Sequence, residues 1–439
     1  MSKLNCFWFR RDLRMTDNTG LYHALRAGLP VLPVFIFDTH ILDKLEDRDD
    51  ARVTFLHQTL HRLQSELADL GSTLYVANGK PEAIWPQILD HYDVDTVYTN
   101  RDYEPYAKTR DAAIEELLTA RGVGFSTFKD HVIQEGGEVL KKDGTPYTVF
   151  TPYSRTWRAN LKPEDLEHIP CEDHHDRFVQ HELRPIPTLE EMGFSPSSVP
   201  FPAAEVNRGL IRNYDQTRNF PGVRGTSRLG LHFRFGTISI REKARKAMEL
   251  NQTFVNELIW RDFYAMILYH FPHVVGAPFR EKYQWIEWRN DAEEFAAWCA
   301  GQTGYPIVDA GMRELNATGY MHNRVRMIVA SFLTKHLLID WQWGEAYFAR
   351  KLLDFDLASN NGGWQWAAGC GTDAAPYFRV FNPTTQMQKF DKDLVYVKKW
   401  VPEFGGFNYR KPIVDHKMAR ERCLATYKAG LSRAEVEMG

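Results

Sequence analysis

Apolar and polar positions follow two different patterns along this chain, and the first fills residues 1 to about 130. Short apolar runs rich in β-branched and aromatic residues predict strands there. The runs are Leu4 to Phe9, Val31 to Phe37, Thr73 to Ala77, Val94 to Thr99 and Val123 to Phe128. Between the second and third runs, apolar residues recur every three or four positions from Val53 to Leu70. This spacing predicts a helix that ends at Gly71.

Strands that alternate with helices predict an α/β domain with a parallel, Rossmann-like sheet. The pattern then changes. Residues 131–204 contain paired glycines, an acidic and histidine-rich tract and, between residues 185 and 202, five prolines. These features predict a mostly irregular surface connection. From about residue 205 the apolar spacing is helical. We therefore predict an α/β domain at 1–130, an interdomain linker at 131–204 and a larger all-α domain at 205–439.

Composition narrows the class of protein. The chain has 439 residues, of which 44% are apolar and 25% charged, so disorder is improbable. No apolar run approaches the roughly 20 residues that span a bilayer. The five cysteines are widely spaced and form no CxxC pair, which disfavours a zinc site or a disulfide framework. We expect a soluble protein of the reducing cytoplasm, with no metal site and no membrane partner.

Charge is uneven within the helical half. Residues 201–250 hold ten Arg and Lys against four acids, although the whole chain has a net charge of only -3. Such an excess suits contacts with phosphates, and it equally suits a solvated helix face. Composition alone slightly favours the solvated face.

Three segments carry candidate chemistry. Residues 225–228, Gly-Thr-Ser-Arg, suit either a phosphate cradle or a helix cap. Residues 256–264 place a carboxylate, an indole and a guanidinium on one helix face. That face suits a stacked, hydrogen-bonded aromatic ligand or a core-edge ion pair. Residues 354–366 combine two acids, two amides, two glycines and two Trp, which is typical of a ligand site. A calcium loop needs Gly and a distal Glu at fixed positions, and neither stands there.

These segments belong to longer motifs that resemble one known family. The motifs are FWFRRDLRMTDN, GTSRL, NELIWRDFY, TGYPIVDAGMRELNATGYMHNRVRM and LASNNGGWQWAAGCGTDAAPYFRVFNP. They resemble the photolyase/cryptochrome family over nearly the whole chain, and most closely the bacterial class I cyclobutane pyrimidine dimer photolyases. The resemblance implies an N-terminal antenna domain and a C-terminal helical domain that holds FAD, which is reduced and anionic when active.

The resemblance also implies the cofactor contacts. The phosphates and ribityl chain of FAD would lie at Tyr214, Thr226, Ser227, Arg228, Leu229 and Gly230, where the family often has Ser in place of Gly230. The flavin would be lined by Arg326, Asp354, Phe355, Asp356 and Asn360, with Asn360 facing N5. An electron relay would run through Trp364, Trp341 and Trp288, although core packing is the usual fate of each Trp.

The substrate contacts follow in the same way. Glu257 would hydrogen-bond the flipped pyrimidine pair, and Trp260 and Trp366 would form the walls of its cavity. Other contacts to the lesion or its flanking phosphates would come from Arg218, Arg261, Tyr264, Asn323, Arg324, Met327, Arg379 and Gln386. Photolyases acting on the (6-4) lesion carry two histidines where this chain has Asn323 and Met327. This difference favours the cyclobutane lesion.

The predicted function is therefore light-driven repair of pyrimidine dimers in DNA by a monomer that works at the nucleoid. The antenna residues would be Arg52, Asp102 and Glu104, which resemble the deazaflavin-binding type, with FMN or an empty pocket as alternatives. Two other functions stay open at this point. One is a blue-light photoreceptor that signals to a protein partner, and the other is a helical binding protein without flavin.

Overall fold

The structure is a computed structural model that describes residues 3–437. The chain forms two compact units, each made of several segments. The first unit contains the residues up to Glu138, Ala159–Ala204 and Leu229–Glu249. The second contains Val139–Arg158, Glu205–Arg228 and the residues from Leu250 onward. These boundaries differ from the predicted ones, because two segments outside residues 1–130 pack into the first unit.

The first unit is built on a parallel sheet, which confirms the predicted fold class. Its strands are β1 Leu4–Phe9, β2 Val31–Asp38, β3 Tyr75–Gly79, β4 Val94–Asn100 and β5 Gly124–Phe128. Their order is β3-β2-β1-β4-β5. β1 and β2 are buried along their whole length, as expected for strands covered by helices on both faces. The third strand begins and ends two residues later than the apolar run that predicted it.

Helices cover the sheet, and the predicted amphipathic helix is among them. The α-helices of this unit are Thr19–Arg26, Thr39–Leu42, Ala51–Ala68, Pro81–His91, Pro105–Ala120, Gly230–Phe235 and Ile240–Leu250. Helix Ala51–Ala68 begins at Asp50, whose carboxylate accepts the backbone N–H of Arg52, and it buries Val53, Leu60 and Leu63 on one face. It ends just before Gly71, which adopts a positive φ of 74°.

Much of the predicted linker belongs to this unit. Phe178 forms a parallel bridge with Val31 at the start of β2. The Cys171 thiol donates to the carbonyl of Asn18 at 3.1 Å and accepts from its backbone N–H at 3.3 Å. The prolines of residues 159–204 prevent long helices there, and the segment consequently docks as irregular chain and short 3₁₀ helices, Pro163–Leu166 and Cys171–Arg177.

A buried ion network joins residues 229–249 to the sheet. Arg241 donates to Asp130 at 2.8 Å and to Asp17 at 2.9 Å, and Arg14 donates to Asp130 at 2.6 Å. All four side chains are less than a tenth exposed. The two guanidinium groups hold the pKa of Asp130 well below its usual range, although burial opposes them. These pairs explain why the segment packs with the first unit although it follows residue 205.

We predict that Asp130→Asn lowers the free energy of unfolding by about 3–5 kcal/mol at pH 7, because it leaves buried guanidinium groups without a full counter-charge. A depressed native pKa stabilises the fold above the unfolded-state value of about 4, and this stabilisation is lost as pH falls below it. The free energy of unfolding, measured with denaturant, should therefore fall more steeply below pH 4 in the natural protein than in the variant. The exposed Asp173→Asn is the control, and equal stability of the two variants would contradict the prediction.

The second unit is helical. Its α-helices are Phe150–Asn160, Arg208–Arg212, Tyr214–Thr217, Gln252–His270, Ala292–Cys299, Pro306–Thr318, Asn323–Ser331, Trp341–Lys351, Leu357–Ala368, Pro383–Phe390, Val395–Trp400 and His416–Glu437. A π-helical turn, Phe332–His336, extends helix Asn323–Ser331. The core gathers around Trp298, Val308 and Val329, none of which is measurably exposed. Within residues 3–437, none of the helices combines the length and the apolar character needed to cross a membrane.

Candidate active site

Helix Gln252–His270 presents the predicted carboxylate–indole face. Asn251 caps its first turn by accepting the backbone N–H groups of Thr253 and Phe254 at 2.9 and 3.2 Å. Glu257, Trp260 and Tyr264 follow at spacings of three and four on one side. All three side chains are half-buried, so this face borders solvent instead of lying in the core.

The helix Leu357–Ala368 packs against that face at a glycine. A Cβ atom on Gly362 would lie 2.2 Å from the Tyr264 ring, so only glycine permits this approach. The contact brings the helix that carries Asn360, Trp364 and Trp366 next to the helix that carries Glu257. Two of the three candidate segments therefore form one site.

Phe150 covers one face of Trp260. The two rings are stacked, with centroids 3.7 Å apart and planes within 4°. On the same helix, the indole N–H of Trp157 donates to the fully buried carboxylate of Asp262 at 2.9 Å. We predicted a mostly irregular connection over residues 131–204, and the helix Phe150–Asn160 is an exception within it. The spacing of Phe150, Tyr153 and Trp157 by three and four residues was the signal for this helix.

Arg218 and Glu257 form an ion pair with Nη1 and Oε1 2.5 Å apart. Burial raises the pKa of Glu257, and the charge of Arg218 opposes that shift. The Arg218 guanidinium also lies 5.3 Å from the ring centroid of Tyr214. The structure thus brings together Glu257, Arg218 and Tyr214, for which we predicted contacts with the lesion, the DNA and the cofactor, respectively.

Positive charge collects beside this face. Arg324 donates to the side-chain oxygen of Asn219 at 2.7 Å and lies 4.5 Å above the Phe390 ring. Its pKa is lowered by burial and by repulsion from Arg218 and Arg379. Three arginines that repel one another are suited to bind phosphates.

The other predicted contact residues lie on the same group of elements. Asn323 is the exposed first residue of its helix, and Met327 lies one turn later with its sulfur 3.6 Å from the Arg324 guanidinium. Gln386 is half-buried on helix Pro383–Phe390. Arg261 follows Trp260 on its helix, half-buried, and Trp366 packs half-buried against the core of the second unit.

The segment Gly225–Arg228 does not act as a helix cap. The cap of the following helix, Gly230–Phe235, is Leu229, and no side chain hydrogen-bonds there. The Thr226 hydroxyl lies 3.0 Å from the Tyr320 hydroxyl, and Arg228 lies 4.3 Å from the Tyr320 ring centroid. Ser227, which lies between Thr226 and Arg228 in the sequence, is half-buried. The segment therefore presents hydroxyl and guanidinium groups, as a phosphate-binding loop requires.

A second group of polar side chains surrounds the start of helix Leu357–Ala368. Arg326 donates to both carboxylate oxygens of Asp354, at 2.9 and 3.1 Å, as the resemblance implies. Asp356 caps the helix by accepting the Ser359 backbone N–H at 3.0 Å. Phe355, between the two acids, packs half-buried against the core.

Asn360 is held by a neighbouring helix. Its Nδ2 donates to the backbone carbonyl of Glu345 at 3.1 Å, and the adjacent Asn361 donates to the Glu345 carboxylate at 3.0 Å. Burial raises the pKa of Glu345 to about 7. Glu345 was missed in the sequence analysis, because no motif separates it from other helical glutamates.

The residues present fit a large polar cofactor. His322 accepts the Arg324 backbone N–H at Nδ1, 3.1 Å away, so its neutral ring carries hydrogen on Nε2. Burial, reinforced by repulsion from nearby arginines, lowers the pKa of His322 to about 4. His322 is 4% exposed, and its Nε2 has no partner among the described residues. A buried donor of this kind indicates an absent acceptor. Together with the Thr226 hydroxyl and the Arg326–Asp354 pair, this donor suits FAD.

The three relay candidates differ in exposure. Trp364 and Trp341 are 2% and 3% exposed, whereas Trp288 is half-buried with its ring edge-on to Tyr427. Trp364 packs where a Cβ on Gly344 would come within 2.1 Å of its ring, and Trp298 lies 6.0 Å away. Trp288 is thus the most exposed of the three, as expected for the last member of a relay that runs from Trp364 through Trp341 to the surface.

The antenna candidates lie in the first unit, where they form ion pairs with different partners. Arg52 pairs with Asp50 at 2.5 Å, while Asp102 and Glu104 both accept from Arg11, at 3.2 and 2.7 Å. Asp102 follows β4, whose neighbour β1 ends just before Arg10. Parallel strands with crossovers to opposite sides leave a crevice at such a point. The residues that line this crevice include Arg11, Asn100 and Asp102.

The basic segment 201–250 does not form one solvated or phosphate-binding face, because several of its cations are paired within the first unit. Arg241 is in the buried ion network, Arg234 donates to Glu104 at 2.7 Å and Arg245 donates to the backbone carbonyl of Leu166. These cations stabilise the first unit, because its acids neutralise Arg234 and Arg241 and a backbone carbonyl accepts a hydrogen bond from Arg245. Among the described residues, His, Cys, Asp and Glu side chains form no group of three that could hold a metal ion.

Comparison with known proteins agrees with this geometry. A family model described as DNA photolyase matches residues 5–173, and one described as the FAD binding domain of DNA photolyase matches residues 254–408. The deoxyribodipyrimidine photo-lyase of Halobacterium salinarum is 40% identical over 97% of this chain and 99% of its own.

Solved structures extend the similarity to three dimensions. A bacterial class III photolyase from Agrobacterium tumefaciens matches with a TM-score of 0.87 and 34% identity, over 98% of both chains. An archaeal photolyase from Sulfolobus tokodaii, solved with two FAD molecules, matches with a TM-score of 0.82 and 34% identity, over 98% of this chain and all of its own. This chain belongs to the photolyase/cryptochrome family, and its second unit contains the FAD-binding domain.

Proposed function

We propose that this chain repairs cyclobutane pyrimidine dimers in DNA in a light-driven reaction. The observation that carries the proposal is the contact of Tyr264 with Gly362. It joins the Glu257–Trp260 face to the helix of Asn360 within the FAD-binding domain. Bound, reduced FAD supplies a photoexcited electron to the dimer and recovers it after the ring splits, so that the reaction causes no net oxidation.

The residues of this chain would bind and orient the lesion. A pyrimidine pair must leave the duplex to reach the site, and a damaged pair that stacks poorly costs the least to extrude. Trp260 and Trp366 offer apolar ring surfaces to the extruded pair, and Glu257 offers a hydrogen bond. Arg218, Arg324 and Arg379 would hold the flanking phosphates, which fixes position without reading sequence.

Other residues would hold the cofactor. Tyr214 and Thr226 to Gly230 would bind its phosphates and sugar chain, and Arg326, paired with the half-buried Asp354, would line the flavin. The Nδ2 of Asn360 donates to the backbone carbonyl of Glu345, which would hold this amide in place to face N5 of the flavin. Trp364, Trp341 and Trp288 would carry electrons inward from solvent to regenerate the reduced state.

We also propose an antenna chromophore in the first unit, of the deazaflavin type or a flavin, bound near Arg52, Asp102 and Glu104. The Sulfolobus tokodaii photolyase contains a second FAD, which implicates a novel light-harvesting cofactor in that protein. Arg11 lines this crevice and pairs with Asp102 and Glu104, so it would have to release these carboxylates to admit a chromophore. An absorption band beyond that of the flavin, lost in Arg11→Met but not in Arg121→Met, would support this site, because Arg121 pairs with Asp90 outside the crevice.

DNA that contains pyrimidine dimers is the proposed partner. We propose that the protein acts on it as a monomer in the cytoplasm, at the nucleoid. A blue-light photoreceptor is the competing function, and no described feature favours it. Incubation of the flavin-loaded protein with an irradiated thymine oligonucleotide separates the two. Repair predicts loss of dimers in blue light and none in darkness, whereas a photoreceptor would keep its flavin and leave the dimers intact. A flavin-free binding protein would be colourless.

Glu257→Ala tests the site within this function. We expect repair at low substrate concentration to fall about 10- to 100-fold, the effect of losing a hydrogen bond of about 1.5–3 kcal/mol to a charged group. Flavin content should not change, since the described hydrogen-bond partner of Glu257 is Arg218, which we assign to the DNA. Repair at the natural rate by Glu257→Ala would contradict the assignment.

A further inference from the structure

The pair of Arg218 and Glu257 joins residues 39 positions apart that the family resemblance assigns to different contacts. Both side chains are about a quarter exposed, 23% for Arg218 and 28% for Glu257. At this depth an ion pair is less screened than at a free surface, and its loss changes the ionisation of the partner that remains.

Arg218 is positioned from its other side as well. Its guanidinium lies over the ring of Tyr214, which is buried and packs edge-on to Phe254 with centroids 5.1 Å apart. Phe254 belongs to the first turn of the helix that carries Glu257. The arginine is therefore held between a fixed aromatic ring and the carboxylate, and it is oriented before any DNA binds.

The charge balance at Glu257 depends on this arginine. The titratable groups that act on Glu257 are Arg218, Tyr214 and Tyr264, and burial keeps both tyrosines neutral at raised pKa. Burial favours the protonated form of Glu257, and Arg218 is the cation that opposes this tendency. A protonated carboxyl donates one hydrogen bond, whereas a carboxylate only accepts.

We propose that Arg218 is a positioning residue for Glu257, which keeps the carboxylate ionised and oriented to accept a hydrogen bond from the imide N–H of the extruded pyrimidine. This inference rests on the proposed function. It adds to the phosphate contact a second role for Arg218, which is to set the hydrogen-bonding state of the group that receives the lesion.

The test compares Arg218→Met with a matched variant, Arg324→Met. Both remove an arginine of the same positive cluster, but Arg324 donates to the neutral Asn219, not to a carboxylate. Single-turnover repair by the pre-reduced, flavin-loaded protein is measured at saturating dimer-containing oligonucleotide between pH 5 and 9, so that weaker DNA binding does not enter the rate.

We expect the natural protein and Arg324→Met to keep the same pH profile, with weaker DNA binding in the variant. Arg218→Met should lose repair at least 10-fold between pH 9 and pH 6, and Arg218→Lys should restore most of it. Infrared spectra of Arg218→Met at pH 6 should show a protonated carboxyl band that disappears in the Arg218→Met/Glu257→Gln double variant.

Two results would overturn the inference. One is an Arg218→Met profile that coincides with that of the natural protein, and the other is an equal shift in Arg324→Met. Failure of the proposed function is a different result, because the natural protein would then repair no dimers at any pH.

Discussion

Trp364→Phe is expected to abolish photoreduction of the bound flavin while sparing light-driven repair by protein that was reduced beforehand. Trp364 lies four residues after Asn360 on helix Leu357–Ala368, so both side chains face the same side. An indole is readily oxidised by one electron and a phenyl ring is not, so the substitution removes the first donor of the relay and keeps an aromatic side chain in the core.

Trp298→Phe is the matched control for this prediction. Trp298 is fully buried and its ring lies 6.0 Å from that of Trp364, so its replacement disturbs the same core. Illumination of each oxidised variant with an external reductant, followed by absorption spectroscopy, gives the rate. We expect Trp298→Phe to photoreduce and Trp364→Phe to remain oxidised. Normal photoreduction in Trp364→Phe, or equal loss in both, would show that Trp364 serves packing alone.

Arg326→Met is expected to yield protein with little or no bound flavin. Arg326 holds Asp354 by two hydrogen bonds and also donates from Nε to the backbone carbonyl of Met321 at 2.7 Å. Losing a hydrogen bond to a charged group costs about 1.5–3 kcal/mol, which corresponds to a loss of affinity of about 10- to 100-fold if the site bears the cost.

Flavin released on denaturation, per mole of protein, measures this effect. Arg326→Lys should show an intermediate content, because lysine keeps the charge but has no separate nitrogens to reach Asp354 and the Met321 carbonyl in this geometry. Arg313→Met is the control, since Arg313 forms an ion pair with Glu403 nearer the surface, at 2.7 Å. Full flavin content in Arg326→Met would remove this residue from the proposed cofactor site.

The elements of both units could largely be predicted from the sequence, because their patterns are local. The buried face of helix Ala51–Ala68 and the runs of β1 and β2 follow from the spacing of apolar residues within a few turns or one strand. The Arg326–Asp354 pair was available only through the family resemblance, since spacing alone does not join residues 28 positions apart.

The features that were missed depend on contacts between distant residues. The stack of Phe150 on Trp260, the ion network of Asp130 and the pair of Arg218 with Glu257 each join segments whose approach is set by packing. A charge excess such as that of residues 201–250 does not show which cations face solvent. Arg234 and Arg241 do not face solvent, because they pair with the acids Glu104 and Asp17 of the first unit.

The central claim is that the reduced cofactor held by the second unit gives its photoexcited electron to a dimer bound at Glu257 and Trp260. The most direct measurement is single-turnover repair of a thymine dimer by flavin-loaded protein prepared in the oxidised and in the reduced state, each in darkness and in blue light. We predict dimer loss for the reduced protein in light and in none of the other three conditions. Repair in darkness, or an illuminated reduced protein that leaves every dimer intact, would contradict the account.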